Sequence, residues 1–82
     1  MQHIPIQLFA LARDLAGAEQ VTVALPEEAT VADLRIRLFD QVPALGAVGD
    51  KVRFAVDQQY ASDETPLSGA REVALIPPVS GG

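Results

Sequence analysis

The last residues of the chain place a carboxylate at the end of a narrow arm. Pro77 and Pro78 follow an apolar segment, and because proline has no backbone N–H to donate, they predict that the folded domain ends at Ile76. The final two residues, Gly81 and Gly82, have no Cβ, so only main chain would pass through a site that receives them. Such an arm suits a reaction on the Gly82 carboxylate inside a narrow site of another protein. The alternative at this point is a frayed terminus without a function, which most small domains have.

Composition and charge narrow the classes of site that this chain can hold. It has 82 residues, which predicts one domain, and it has no cysteine, which excludes a disulfide framework, a thiolate metal site and a thiol nucleophile. Eleven acidic residues against six basic ones give a formal net charge of −5, a poor match for the phosphates of nucleic acid. No apolar run approaches the roughly 20 residues that span a bilayer, and no charged-then-apolar leader opens the chain. We therefore expect a cytoplasmic protein that binds neither nucleic acid nor membrane.

Other chemically capable side chains lack partners at a useful spacing. His3 is the one histidine, and no second ligand stands at a suitable distance from it in the sequence, so we expect no metal site. Ser80 has no histidine nearby in sequence and is interpreted as a small spacer rather than a nucleophile. The adjacent acids at 27–28 and 63–64 are typical of solvated turns.

Five short segments have the pattern of β-strands. Apolar residues alternate with polar or small ones at 4–8, 21–25 and 52–56. Residues 60–62 form a candidate returning strand after a hairpin turn at Asp57-Gln58, where glycine would be preferred at the second position. The uninterrupted apolar run 73–76 is typical of a strand buried on both faces, at the centre of a sheet.

Two helices are predicted, one of them short. Residues 9–16 lose the two-residue alternation and are followed by a glycine, which indicates a helical turn with a glycine C-cap. Thr30 and Asp33 form a weaker version of the capping box, and the apolar residues after them recur at helical spacing until Pro43. The charged residues of this main helix are expected mostly on its solvent face. Residues 44–50 are interpreted as a loop. The pattern predicts an α+β fold with one main helix.

Four segments resemble the small subunit of molybdopterin synthase, a family of β-grasp sulfur carriers. The segments are Phe9 to Gly17, Thr30 to Leu34, Phe54 to Tyr60 and, most specific of all, Glu72 to Gly82. The sequence departs from the family at Asp57, where asparagine is usual, and at Ala70-Arg71, where acidic residues are common. The resemblance covers nearly the whole chain. It implies a β-grasp (ubiquitin-like) roll, a mixed sheet of four to five strands whose first and last strands are parallel neighbours.

The resemblance also implies a division of labour between a β-grasp domain, residues 1–76, and a flexible tail, residues 77–82. In the family the terminal glycine, here Gly82, is adenylated and then converted to a thiocarboxylate. Its sulfur is donated to cyclic pyranopterin monophosphate in molybdenum cofactor biosynthesis. The residues that would thread through a partner's site ahead of it are Val79, Ser80 and Gly81. The chain itself would bind no cofactor, because the activating enzyme uses the ATP and the active site lies mainly on the large subunit.

Two protein partners follow from the resemblance. One is the large subunit, in a heterotetramer of two small and two large subunits, and the other is an adenylating enzyme similar to the ubiquitin activators. The residues expected to bind them are Phe9, Arg13, Tyr60 and Ile76, although each could also be ordinary framework. Three alternatives stay open. They are a related carrier for thiamin, cysteine or tRNA thiolation, a ubiquitin-like protein modifier, and a β-grasp interaction module with an idle tail.

Overall fold

The computed structural model describes residues 1–48 and 51–77, which form a five-stranded sheet with helices packed on one face. The elements in chain order are β1 (Gln2–Gln7), α1 (Ala10–Ala16), β2 (Gln20–Leu25), α2 (Val31–Gln41), a 3₁₀ helix (Pro43–Val48), β3 (Arg53–Val56), β4 (Gln59–Ala61) and β5 (Val73–Ile76). The strands lie in the order β2-β1-β5-β3-β4. The predicted α+β arrangement, with the last strand at the centre, is confirmed.

The first and last strands are parallel neighbours, as expected of a β-grasp roll. β5 also pairs antiparallel with β3, and the β1–β2 and β3–β4 pairs are antiparallel. β1 and β5 pair at Ile6 and Gln7, so Pro5 lies before the shared ladder and faces only β2. A proline, which has no N–H to donate, is tolerated at such a position.

The core lies between the inner face of the sheet and one side of the helices. Its largest fully buried side chains are Ile6, Leu8, Val23, Leu25, Val31, Leu34, Leu38, Leu45, Val52, Phe54, Leu67 and Leu75. Each contributes about 1.5–3 kcal/mol relative to an exposed side chain. No polar or charged residue of the described ranges 1–48 and 51–77 is buried. The core is therefore held together by apolar burial.

The central strand β5 is fully buried on only one face. Val73 and Leu75 point into the core, whereas Ala74 and Ile76 on the outer face are half-buried. The apolar run had predicted burial on both faces, and this prediction was wrong for the outer face. The described helices pack against the inner face alone, so nothing comparable buries the outer residues. The end of β5 is consequently accessible from outside the sheet.

Helix α2 begins where the sequence indicated. Thr30 and Asp33 form a capping box, in which the backbone N–H of Thr30 donates to Asp33 Oδ2 at 2.9 Å. Asp33 also places a negative charge in the first turn, where the helix dipole favours it. The predicted capping is confirmed. The helix ends at Gln41, immediately before the residue that precedes Pro43.

The segment after α2 is more regular than the sequence suggested. Residues 43–48 form a 3₁₀ helix, so the prediction of a loop was wrong there, while residues 49–50 lie outside the described ranges. Leu45 explains the difference, because its side chain is fully buried and its N–H donates to the carbonyl of Val42 at 3.0 Å. Burial of Leu45 stabilises a helical turn that the glycine content of the segment does not predict.

Arg35 connects α2 to the start of β3. Its guanidinium donates to the carbonyl of Val52 at 2.6 Å and to Asp63 Oδ1 at 3.2 Å. Its Cζ also lies 5.3 Å from the centroid of the Phe54 ring, within range of a cation–π interaction. The expectation of a solvent face was wrong for this residue, whose side chain is only 23% exposed. The contacts fix the entry of the chain into β3.

Candidate functional site

The start of β5 is held by the hairpin between β3 and β4. Asp57 and Gln58 have φ of 51° and 71°, the geometry of a type I′ turn, so the predicted hairpin is confirmed. Asp57 Oδ1 accepts hydrogen bonds from the backbone N–H groups of Arg71 at 2.8 Å and Glu72 at 2.9 Å. The N–H of Asp57 donates to the carbonyl of Glu72 at 2.7 Å. Three hydrogen bonds therefore set the point where β5 begins.

The two departures from the family pattern lie in this same region. Asp57 bonds through an oxygen that asparagine also has, so the acceptor is retained when one residue replaces the other. At the second departure, the N–H of Ala70 donates to the carbonyl of Leu67 at 3.0 Å, and Gly69 supplies the positive φ of 80°. The first departure thus keeps the side-chain acceptor of the turn, and the second turn is closed by a backbone hydrogen bond that does not depend on the substituted side chains.

The end of β5 emerges beside the beginning of α1. Because β1 and β5 are parallel and Gln7 pairs with Ala74, Phe9 and Ile76 each follow two residues beyond that pair. Phe9 is the N-cap of α1, has extended backbone, and continues the outward side of the β1 alternation. Its side chain is 51% exposed. Phe9 and Ile76 therefore leave the sheet at the same end.

A row of side chains continues from Ile76 across the outer face. Ile76 pairs with Arg53, and Ala55, on the same face as Arg53, pairs with Tyr60 on β4. The guanidinium carbon of Arg53 lies 5.5 Å from the centroid of the Tyr60 ring. Tyr60 is 67% exposed. Strand register and stacking together bring Ile76, Arg53 and Tyr60 to one part of the outer face.

Arg13 lies one turn into α1. Its N–H donates to the carbonyl of Phe9 at 3.4 Å, and its Nε is 3.9 Å from Asp14 Oδ1. Both side chains of this ion pair are largely exposed, so the pair adds little stability. Gly17 ends the helix with a φ of 72°, and the predicted glycine C-cap is confirmed.

The structure places three of the four predicted partner-binding residues on the outer side of the sheet, with Phe9 and Ile76 at one end and Tyr60 level with Ala74. They are Phe9, Tyr60 and Ile76, and Arg13 follows Phe9 by one turn. Their role in binding stays a prediction. The predicted tail residues, Val79, Ser80, Gly81 and Gly82, lie outside the described residues.

The sequence reasoning missed Arg53 as a member of this row. The signal was present in the alternation of β3, where Phe54 points inward and its neighbour must point outward. Asp57 was recognised only as a turn residue. Its side chain contacts residues 71–72, which lie at least 14 positions further along the sequence, and local patterns do not reveal such a contact.

The described residues form neither a metal-binding cluster nor a membrane-spanning helix. Residues 1–48 and 51–77 contain no group of three histidine, aspartate or glutamate side chains placed to hold a metal ion. Neither is any helix in those ranges long and apolar enough to cross a bilayer.

Similarity to known proteins extends over almost the entire chain. Residues 6–82 match the model of the ThiS family. The molybdopterin synthase sulfur carrier subunit of Caenorhabditis briggsae is 36% identical over 84 aligned positions, which cover all of both chains. The chain belongs to the ThiS family. At this identity and coverage, the resemblance to the small subunit of molybdopterin synthase is also confirmed.

Solved structures of related proteins have the same fold. SAMP1 from Haloferax volcanii aligns with a TM-score of 0.83 at 29% identity, covering 99% of this chain and 100% of that chain. A complex of subunits 1 and 2 of molybdopterin-converting factor from Helicobacter pylori contains a chain with a TM-score of 0.67 at 18% identity. That alignment covers 99% of this chain and 100% of the other, and at this identity it shows the fold alone. The ThiS-family chain is a ubiquitin-like β-grasp protein.

Proposed function

We propose that this chain is the sulfur carrier subunit of a molybdopterin synthase and carries sulfur as a thiocarboxylate on Gly82. One observation carries the proposal. The family match runs through residue 82, on a fold whose central strand ends at Ile76 beside an exposed aromatic residue. A carrier needs its reactive end to extend from a rigid base, and β5 is paired on both sides by β1 and β3.

The proposed loading reaction begins by making the Gly82 carboxylate electrophilic. A carboxylate resists nucleophilic attack because of its negative charge. A carboxylate oxygen therefore attacks the α-phosphorus of ATP on an activating enzyme, which releases pyrophosphate and forms an acyl-adenylate. The terminal sulfur of a persulfide donor then attacks the acyl carbon, and AMP leaves as an acyl disulfide forms. A second thiol attacks the donor sulfur of that acyl disulfide, which releases the Gly82 thiocarboxylate and leaves a disulfide between the donor and the second thiol.

The proposed unloading reaction takes place on the large subunit. There the thiocarboxylate sulfur is transferred to cyclic pyranopterin monophosphate, and two loaded carriers supply the two sulfurs of each dithiolene. Two small and two large subunits form the proposed assembly. The net charge of −5 supports the view that the phosphate-binding cations belong to the large subunit rather than to this chain, and we assign the general acids to that subunit as well. This chain would then hold neither the pterin nor ATP by itself.

A second candidate function is protein modification. The structural relative at 29% identity is a SAMP1 protein, and other structures of that name are called small archaeal modifier proteins. In this alternative the same acyl-adenylate is attacked by a lysine amine of another protein, an isopeptide bond forms and AMP leaves. Related carriers for thiamin, cysteine or tRNA thiolation would share the loading step and differ in the acceptor of the sulfur.

The loading step provides the test of the proposed function. The full chain is incubated with its cognate activating enzyme, ATP and a persulfide donor, and its intact mass is measured. We expect the mass to rise by the difference between a sulfur and an oxygen atom. Deletion of Gly82 moves the carboxylate back by roughly 3.3–3.6 Å, and a misplacement of about 1 Å can cost about a hundredfold in rate. The deletion variant should therefore load at least about a hundredfold more slowly.

Two glycine variants separate the width of the tail from its length. Gly81→Val keeps the length but adds a branched side chain, so we expect slow loading with an unchanged melting temperature. Gly46→Ala is the control, because a Cβ added there meets no atom within 4 Å, and it should load at the wild-type rate. Wild-type loading of the chain that lacks Gly82 would contradict the proposed function. Lysine conjugates without a sulfur-loaded species would favour the modifier.

A further inference from the structure

The outer face of the sheet contains one charged residue in a protein that is otherwise rich in acids. Across the five described strands, Arg53 is the only residue with a formal charge when His3 is counted as neutral. The acidic residues that the structure describes all lie in helices, turns and loops. The formal net charge of the chain is nonetheless −5. The described strand residues therefore carry no negative charge and a single positive one, on the outer side of β3.

Arg53 lies next to the end of β5. Arg53 pairs with Ile76, the last residue of the strand, and so lies next to the root of the tail. Its side chain is on the outer face, opposite the core residue Phe54. Any protein that receives the tail must come close to this row of residues.

The contacts of Arg53 leave its charge available. Arg13 has a carboxylate within ion-pair distance, that of Asp14, and Arg35 has that of Asp63. Among the residues in ranges 1–48 and 51–77, no carboxylate lies within ion-pair distance of Arg53. Its guanidinium instead lies over the exposed Tyr60 ring at 5.5 Å.

The contact with Tyr60 orients the Arg53 guanidinium so that it can bind a planar group such as a carboxylate. The ring contact occupies one face of the guanidinium and restricts the long side chain, while the N–H donors around its edge stay free to bind. Those donors match the two oxygens of a carboxylate in a bidentate pair. Arginine and tyrosine are also enriched among the residues that dominate binding energy in interfaces. Ile76, which pairs with Arg53, adds apolar surface beside such a pair.

We propose that Arg53 is a specificity-determining residue, which pairs with a carboxylate on the large synthase subunit while Tyr60 holds the guanidinium in place. The inference rests on the proposed function, since it takes the large subunit as the protein that receives the tail. It assigns the occupant of the outer face to a protein surface with an acidic side chain set among apolar ones. A cationic side chain of the partner placed next to Arg53 would be repelled.

The test compares two charge reversals on opposite sides of the molecule. Arg53→Glu is measured against Arg37→Glu, which makes the same change in net charge at an exposed position on α2. Binding of each full chain to the purified large subunit is measured by calorimetry. Arg53→Glu should weaken binding about tenfold or more, because it places two carboxylates together, whereas Arg37→Glu should stay within about twofold of the wild type. Equal effects of the two reversals would overturn the inference, since only net charge would then matter.

Milder substitutions test the geometry of the pair. Arg53→Lys keeps the charge but loses the planar fork, so we expect an affinity between those of the wild type and Arg53→Gln. Added salt should weaken the wild type more steeply than Arg53→Gln, because salt screens the ion pair. An affinity of Arg53→Gln equal to that of the wild type at low salt would also overturn the inference.

The role of Tyr60 is tested by a double-mutant cycle. Tyr60→Leu removes the π face but keeps an apolar side chain, so it should weaken binding several-fold in the wild type and less in the Arg53→Gln background. Effects that simply multiply would contradict a role of Tyr60 in holding the guanidinium.

Sulfur loading at Gly82 distinguishes a failure of the proposed function from a failure of the proposed role of Arg53. A wild-type chain that loads sulfur and binds the large subunit, with Arg53→Glu binding equally well, would overturn the role of Arg53 alone. A wild-type chain that neither loads nor binds would contradict the proposed function and this inference with it.

Discussion

The two ends of the central strand β5 are built in different ways. At its start, Asp57 accepts two backbone hydrogen bonds and donates a third, so the first residues are fixed by polar contacts within the chain. At its end, Ile76 is only half-buried and lies beside exposed Phe9 and in register with exposed Arg53. The start of β5 is hydrogen-bonded within the chain, whereas the end of β5 leaves apolar side chains and a cation exposed.

This difference separates the residues that stabilise the fold from those available to a partner. A strand held at one end and paired along its length gives the following residues a fixed point of departure. The exposed side chains around that point contribute little to the core, so the stability of the fold does not restrict which residues stand there for binding. Substitutions at the start of β5 should therefore lower the free energy of unfolding, and substitutions at its end should lower affinity.

The largest effect on stability is expected at Asp57. Asp57→Ala removes the acceptor of two backbone N–H groups and places alanine at a positive φ of 51°. We expect the free energy of unfolding to fall by about 1–3 kcal/mol, as measured by urea denaturation. Binding by the folded fraction should be nearly unchanged.

Asp57→Asn is the matched control for that substitution. Asparagine keeps an oxygen acceptor and tolerates the left-handed backbone, so its free energy of unfolding should stay within about 1 kcal/mol of the wild type. Equal losses in the two variants would show that the charge of Asp57, rather than its accepting oxygen, holds the start of β5.

The complementary effect is expected at the other end, at Phe9. Phe9→Ala should weaken binding to the large subunit by more than about 1 kcal/mol, because an exposed aromatic residue beside the tail root is a candidate hot spot. Its melting temperature should change little, since about half of the side chain is already exposed. Calorimetry on the folded variant measures the loss.

Ile36→Ala is the control for Phe9→Ala. Ile36 is 71% exposed on α2, a helix that packs against the inner side of the sheet. Its truncation should leave affinity unchanged. Equal losses from the two truncations, or no loss from Phe9→Ala, would assign the outer-face residues a framework role.

The smallest effect is expected inside the hairpin that holds the start of β5. Gln58 has a φ of 71°, a conformation that glycine adopts without strain. Gln58→Gly should raise the free energy of unfolding by about 0.5–1 kcal/mol, because relief of the left-handed strain exceeds the entropy cost of glycine. Gln59→Gly, placed in β4 rather than in the turn, should lower it. A loss of stability in both variants would mean that the flexibility of glycine outweighs the strain at position 58.

Most of the fold was predictable because its elements carry local signals. The capping pair Thr30 and Asp33, the glycine after α1 and the alternation in β1 each specify structure within a few residues. The 3₁₀ helix was missed because its cause is the burial of Leu45 against distant parts of the core. The open outer face of β5 was missed for a related reason, since an apolar run does not reveal how many layers cover it.

The candidate site was predictable only in part. The resemblance supplied Phe9, Tyr60 and Ile76, and strand register then placed them on a shared face, with Phe9 and Ile76 at the same end. Arg53 was missed because its importance arises from its pairing with Ile76 and its stacking on Tyr60. Both contacts join residues on different strands, so a pattern read along one strand does not contain them.

The unloading step shows whether the chain donates its sulfur in molybdopterin synthesis. Chain carrying the Gly82 thiocarboxylate is mixed with the large subunit and cyclic pyranopterin monophosphate, and its intact mass is followed over time. We predict that the mass returns to that of the unloaded chain only when both are present, with molybdopterin formed at one molecule for every two carriers unloaded. A thiocarboxylate that persists in the complete mixture, while the chain is bound to the large subunit, would contradict the account.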